Sequence, residues 1–106
     1  MSKLQLEYAG AQAAKSLKSL PRNISIEFLV SFDSVINGGR STLPIEHLSA
    51  IGPGVFEMKI NGRPAFRCVY TTKVSGKVVI LHAFKKTTNG PDQANLKTVK
   101  DRLKSL

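Results

Sequence analysis

The sequence predicts an α+β fold: a short N-terminal strand and a helical hairpin packed on a three- to four-stranded, mainly antiparallel sheet, with a basic C-terminal helix. Three observations predict it. Residues 9–36 carry apolar side chains at helical spacing, interrupted at Pro21. Residues 54–86 alternate with period two around two glycine-containing turns. Residues beyond 92 return to helical spacing. A chain of 106 residues with 42% apolar content suits one domain, residues 1–106, with one modest core.

The elements follow in chain order. Leu4, Leu6 and Tyr8 alternate with Lys3, Gln5 and Glu7, which predicts a short first strand. Residues 9–20 are rich in Ala, Lys, Gln and Leu, good helix formers, with Ala13, Leu17 and Leu20 as an apolar stripe. Pro21 ends that helix. A second begins near Arg22 and carries Ile24, Phe28, Phe32, Val35 and Ile36 on one side. Asn37-Gly38-Gly39 stops it, because glycine tolerates the left-handed cap conformation. The tight link makes the two helices an antiparallel hairpin whose stripe is core.

Residues 40–54 read as irregular, since Pro44, Gly52, Pro53 and Gly54 exclude a long regular element. Leu48 and Ile51 are expected to tuck under the sheet. His47 is expected on the surface of this loop.

Three strands come next. Phe56, Met58 and Ile60 alternate with Val55, Glu57 and Lys59, and Asn61-Gly62 is a hairpin signal. Loop length decides where Arg67 points. A two-residue turn sets Phe56 opposite Arg67 and puts the arginine on the apolar side. A three-residue turn through Arg63 sets Glu57 opposite Arg67 instead. The second register separates charge from apolar side chains, so an odd-length turn is preferred. Glu57, Lys59 and Arg67 then share one face. Phe56, Met58, Ile60, Phe66, Cys68 and Tyr70 share the other. Ser75-Gly76 makes the next turn. Residues 77–84 are apolar on both faces, which marks a strand inside the sheet or covered on both sides. Residues 87–91 form a linker. Pro91 suits a first helical position, with Asp92 near the positive end of the helix dipole. Leu96, Val99, Leu103 and Leu106 then space a helix that packs on the sheet or docks to a partner.

Charge gives the first functional lead. The formal net charge is +9. Residues 1–53 contribute +1 and residues 54–106 contribute +8. No Asp or Glu lies between Met58 and Pro91, whereas Lys59, Arg63, Arg67, Lys73, Lys77, Lys85 and Lys86 do. A sheet that lays one face against phosphate has this bias. Cys68 is the only cysteine, so no internal disulfide forms, and its place in an apolar strand reads as core. No apolar run reaches the length of a membrane span and the N-terminus has no signal-peptide block, so a cytoplasmic protein is expected.

No His/Asp/Glu cluster has metal-ligand spacing, and there is no phosphate-binding or dinucleotide motif, so no metal or cofactor is expected. A metal-free route to RNA cleavage stays open. It needs a base at the 2′-hydroxyl, cations around the phosphorus and an acid at the leaving oxygen. His82, with an ordinary pKa of about 6.5, could serve as base or acid; it could equally be a histidine hydrogen-bonded in the sheet. Arg67 offers a guanidinium fork for phosphate oxygens or pairs with Glu57. Lys59 could stabilise developing charge. Arg63, Lys73, Lys85 and Lys86 could hold the RNA backbone or form a solvated rim. Tyr70 reads as core ahead of a base-stacking residue.

Three motifs carry a resemblance. They are Gly54-Val55-Phe56-Glu57-Met58-Lys59, Phe66-Arg67-Cys68-Val69-Tyr70 and His82-Ala83-Phe84-Lys85-Lys86-Thr87. With the order strand, two helices, three strands and basic helix, the chain resembles the RelE/ParE toxin superfamily, in particular its phage-derived, HigB-like branch. The resemblance covers nearly the whole chain. It implies a RelE-like fold and the toxin of a bacterial type II toxin–antitoxin system. It further implies a ribosome-dependent mRNA endoribonuclease, an mRNA interferase that inhibits translation. Its partners would be ribosome, mRNA and a small antitoxin, often with a helix-turn-helix domain. ParE-type relatives share the fold and act on DNA gyrase, so a gyrase poison is the alternative, as is a non-catalytic basic RNA-binding module. One departure stands out: where the family often continues Gln-Lys-Thr-Pro after Lys-Lys-Thr, this chain has Thr88-Asn89-Gly90-Pro91, one lysine fewer.

Overall fold

One five-stranded sheet organises the chain in the computed structural model, which describes residues 3–90 and 92–106. The strands are β1 (Gln5–Tyr8), β2 (Ile45–His47), β3 (Val55–Ile60), β4 (Ala65–Thr71) and β5 (Lys77–Lys86). Their spatial order is β1-β5-β4-β3-β2. β1 pairs parallel to β5 and the other neighbours are antiparallel. This is the expected α+β architecture with one strand more than the three or four foreseen. The addition is β2, inside the segment read as irregular. Pro44 precedes it and its carbonyl accepts the Lys59 N–H at 2.9 Å, so only three residues remain to pair.

The helices form where the spacing places them: α1 is Ala11–Lys18 and α2 is Arg22–Ile36. Gly38, at φ 85°, lets the chain turn back after α2, where the Gly39 N–H reaches the Ser34 carbonyl at 2.8 Å. The hairpin covers one face of the sheet. Leu17, Phe28 and Phe32 pack there against Met58, Phe66, Cys68, Tyr70, Val78, Ile80 and Ala83. The Phe32 and Tyr70 rings meet edge-to-face with centroids 5.1 Å apart. Cys68 and Tyr70 are therefore core, as the alternation indicates, and burial pushes the thiol well above its ordinary range.

The other face is half covered. α3 (Gln93–Lys104) lays Val99 on Val55, Val69, Leu81 and Phe84, with Leu48, Ile51 and Leu103 at the margin. α3 thus packs on the sheet, while Leu106 stays 52% exposed. The expectation that Pro91 opens this helix falls outside the described residues. Asp92 is the N-cap itself, accepting the Asn95 N–H at 3.3 Å.

Two registers set what each face carries. In the β3–β4 hairpin Ile60 pairs with Phe66 and Lys59 with Arg67, leaving five residues, 61–65, between the last paired positions. The turn is odd in length, as preferred, but longer than three residues, so Lys59 rather than Glu57 stands opposite Arg67. A shift of two preserves the faces. In the β4–β5 pair, Val69 pairs with His82 and Tyr70 with Ile80, so Leu81 is an extra residue in a bulge.

The core makes a direct prediction. Phe32→Ala should lower unfolding free energy by about 3–5 kcal/mol, whereas Leu106→Ala should stay within about 0.5 kcal/mol of wild type. Urea denaturation followed by circular dichroism measures both.

Candidate active site

The face that α3 leaves open holds the charge. Across β3, β4 and β5, Lys59, Arg67 and Phe84 form one row. In the neighbouring row Glu46 of β2 faces Glu57 of β3, followed by Val69 and His82. Between these rows and the start of α3 lies a cleft of about 340 Å³. Lys59, Arg67, Lys86, Glu46 and Glu57 line its charged part; Leu48, Phe84 and Leu96 line the rest, with Asn89, Gly90 and Asp92 at the rim.

Arg67 is the most constrained side chain in the cleft. It is 7% exposed. Its Nη1 donates to the carbonyls of Phe66 at 3.0 Å and Ile60 at 3.4 Å. Its buried Nε–H finds no acceptor among the described residues; the nearest carboxylate oxygen, on Glu57, is 3.6 Å away. An unpaired buried donor costs about 1–3 kcal/mol. Such a group is a ready partner for a ligand oxygen.

Two of the cleft's three carboxylates, Glu57 and Glu46, are pushed apart. Glu57 is half-buried, and desolvation raises its pKa despite the opposing pull of Arg67 and Lys59. Glu46 is exposed and accepts a hydrogen bond from Lys59, which lowers its pKa. Environments that separate two acids in this way mark out proton-transfer roles. The Lys59–Glu46 pair is exposed on its acid side, and such pairs contribute about 0–1 kcal/mol, so Lys59 is readily exchanged to another anion.

Glu57 and Glu46 correct the picture of an uncompensated basic sheet. The window from Met58 to Pro91 has no acid of its own, but strand pairing brings acids to it: Glu46 to Lys59, Glu57 to Arg67, and Glu7 to Lys77 at 3.1 Å. Sequence reading weighed Glu57 only as a partner for Arg67. Its placement between two cations at the covered edge of a cleft comes from β2 and α3, which the local pattern does not reveal.

The other expected site residues divide. Lys59, Arg67 and Lys86 meet in the cleft. Arg63, in the β3–β4 turn, lines an adjoining groove with Arg67, Lys86 and residues 87–89. Lys85 lies on the opposite face, exposed and paired in register with Phe66. Lys73 follows the far end of β4, against Gly54. His47 is exposed as expected but lies in β2, its ring 5.1 Å from that of Phe56. His82 shares the face of Arg67 but sits beneath α3, outside the cleft lining.

Both nitrogens of His82 are taken. Arg102 Nη1 donates to the Leu81 carbonyl at 2.9 Å and to His82 Nδ1 at 3.0 Å. A guanidinium cannot accept, so Nδ1 is unprotonated and Nε2–H donates to Asn95 Oδ1 at 2.6 Å. Asn95 Nδ2 then donates to Asp92 Oδ2 at 2.6 Å. The chain Arg102–His82–Asn95–Asp92 ties α3 to β5. Burial lowers the His82 pKa, and Arg102 adds to the effect, against Asn95 and Asp92. Among the described residues no group of three or more His, Cys, Asp or Glu side chains could hold a metal ion, and no helix is long and apolar enough to cross a membrane.

The α+β architecture, with its half-covered sheet, is that of a RelE-like protein. Residues 15–104 match the family described as phage derived protein Gp49-like (DUF891), so the chain belongs to that family, within the RelE/HigB-like toxin superfamily of toxin–antitoxin systems. No curated protein matches the chain.

The histidine tether has a testable pH signature. The unfolded chain gains a proton on this ring below about pH 6.5, and the folded chain only at lower pH. Stability should therefore fall as pH drops through 6.5 and level off below the folded pKa. Protection factors of the α3 amides, corrected for the intrinsic pH dependence of exchange, should fall over that interval, and His82→Gln should flatten the response.

Proposed function

We propose that the chain is a toxin that cleaves RNA without a metal, with Glu57 and Arg67 as the centre of its active site. The single observation that carries this reading is the buried Arg67 Nε–H, lacking an acceptor, beside a carboxylate whose pKa is raised. A phosphate oxygen would satisfy the first group, and a raised pKa makes the second a stronger base than an ordinary glutamate.

In this reading the Glu57 carboxylate takes the 2′-hydroxyl proton as the 2′-oxygen attacks phosphorus. Arg67 stabilises charge on the non-bridging oxygens, and Lys59, released from Glu46, adds to it. The bond to the 5′-oxygen breaks, and a proton from the Lys86 ammonium neutralises it. The products are a 2′,3′-cyclic phosphate and a 5′-hydroxyl. Arg63 extends the cationic surface along the RNA backbone. His82 positions α3 through Asn95 and Arg102, while Lys73 and Lys85, remote from the cleft, do not contact the scissile phosphate. The family supports an antitoxin partner. The chain's net charge of +9 favours an acidic segment of a small helix-turn-helix protein. Translating ribosomes presenting mRNA are the proposed substrate.

The test measures cleavage of mRNA, free and on ribosomes, by purified protein. Glu57→Gln should slow cleavage about 10²–10⁴-fold, and Arg67→Ala about 10²–10³-fold. Lys85→Ala should stay near wild type. Undiminished cleavage by Glu57→Gln would sink the assignment. Growth arrest with DNA damage and intact mRNA would point to gyrase, and salt-sensitive RNA binding without cleavage to a binding module.

A further inference from the structure

The cleft is larger than a phosphate requires, and its two parts differ in chemistry. Lys59, Arg67 and Lys86 lie toward the β3–β4 turn. Toward α3 the walls become apolar, and they come from three separate places: Leu48 after β2, Phe84 on β5 and Leu96 on α3. The Phe84 ring is held by stacking on His82, with centroids 5.2 Å apart and planes at 26°. Small-ligand sites begin near 300 Å³, so the volume suits one nucleotide.

The rim beyond those walls is rich in acceptors. Asp92 is fixed there, with one oxygen accepting the Asn95 N–H and the other the Asn95 amide, which is itself held by His82. Each carboxylate oxygen keeps a second lone pair. The Gly90 carbonyl is on the same rim, beside Asn89.

We propose that this apolar end is a nucleobase subsite that selects bases carrying an exocyclic amino group over uracil. This inference rests on the phosphate-binding reading of Arg67. A base attached to a sugar whose phosphate sits on Arg67 is covalently constrained to lie nearby, and among the described residues the apolar surface of the cleft is formed by Leu48, Phe84 and Leu96. A flat ring buries both faces there at little cost in hydrogen bonds, while its polar edge meets the rim. An amino group donates to Asp92. The O4 of uracil, an acceptor, would face the carboxylate unpaired and be rejected.

The experiment titrates the protein with inorganic phosphate, 3′-UMP, 3′-CMP and 3′-AMP while following backbone amide resonances. The nucleotides should bind roughly tenfold or more tightly than phosphate, with 3′-UMP the weakest, and perturb Leu48 and residues 89–96. Leu96→Ala should remove most of the nucleotide advantage and leave phosphate binding unchanged. Asp92→Asn should narrow the gap between 3′-CMP and 3′-UMP; because Asp92 also caps α3, Leu48→Ala provides an independent check on the walls. Equal affinity for phosphate and all three nucleotides overturns the subsite and leaves the phosphate site standing. Absence of binding by phosphate and nucleotides alike overturns both.

Discussion

The parity of the β3–β4 hairpin governs the face on which the charged residues meet. Because Ile60 pairs with Phe66, the turn between them is odd, and Glu57, Lys59 and Arg67 emerge together on the side away from the helical hairpin. An even turn would drive Arg67 into Phe28, Phe32 and Met58, where a guanidinium has no counter-charge. The apolar packing of α1 and α2 therefore enforces the register, and the register assembles the cleft. Core and site are two readings of one strand pairing.

The second constraint is the half-length coverage by α3. Val99 and Leu103 bury the end of the sheet near Val55 and Leu81, while the start of the helix stops beside Phe84. A helix covering the whole face would close off the row of Lys59 and Arg67; partial cover leaves it open to the cleft. The hydrogen bonds that join His82 to Arg102 and Asn95 set how far along the sheet the helix lies.

Much of this was legible in the sequence, for identifiable reasons. Period two through Phe56, Met58 and Ile60 and the helical spacing of Phe28 and Phe32 are local patterns that core burial imposes. The odd turn followed from separating Arg67 from the apolar face. β2 was not legible, because three residues after a proline carry no periodicity and their partners lie 9 to 13 residues on. Nor was the environment of His82, whose partners are 13 and 20 residues away in α3. Glu57 was visible as a residue but not as an acid with a raised pKa, since that property is conferred by what covers it. The excess of cations in residues 58–91 was real, though strand pairing imports carboxylates that a count along the chain cannot see.

The extra residue in β5 works as a phase shifter. Upstream of Leu81 the strand sends Val78 and Ile80 to the helical hairpin; downstream it sends Phe84 and Lys86 to the opposite side and Ala83 to the hairpin. Strict alternation through Leu81, with no bulge, would exchange the two sets, presenting Lys85 and Ala83 to the cleft and burying Phe84 among the hairpin side chains. One unpaired leucine thus lets a single strand serve both layers of the molecule, and drawing Leu81 into the ladder would turn every residue after it to the wrong side while every strand remained paired.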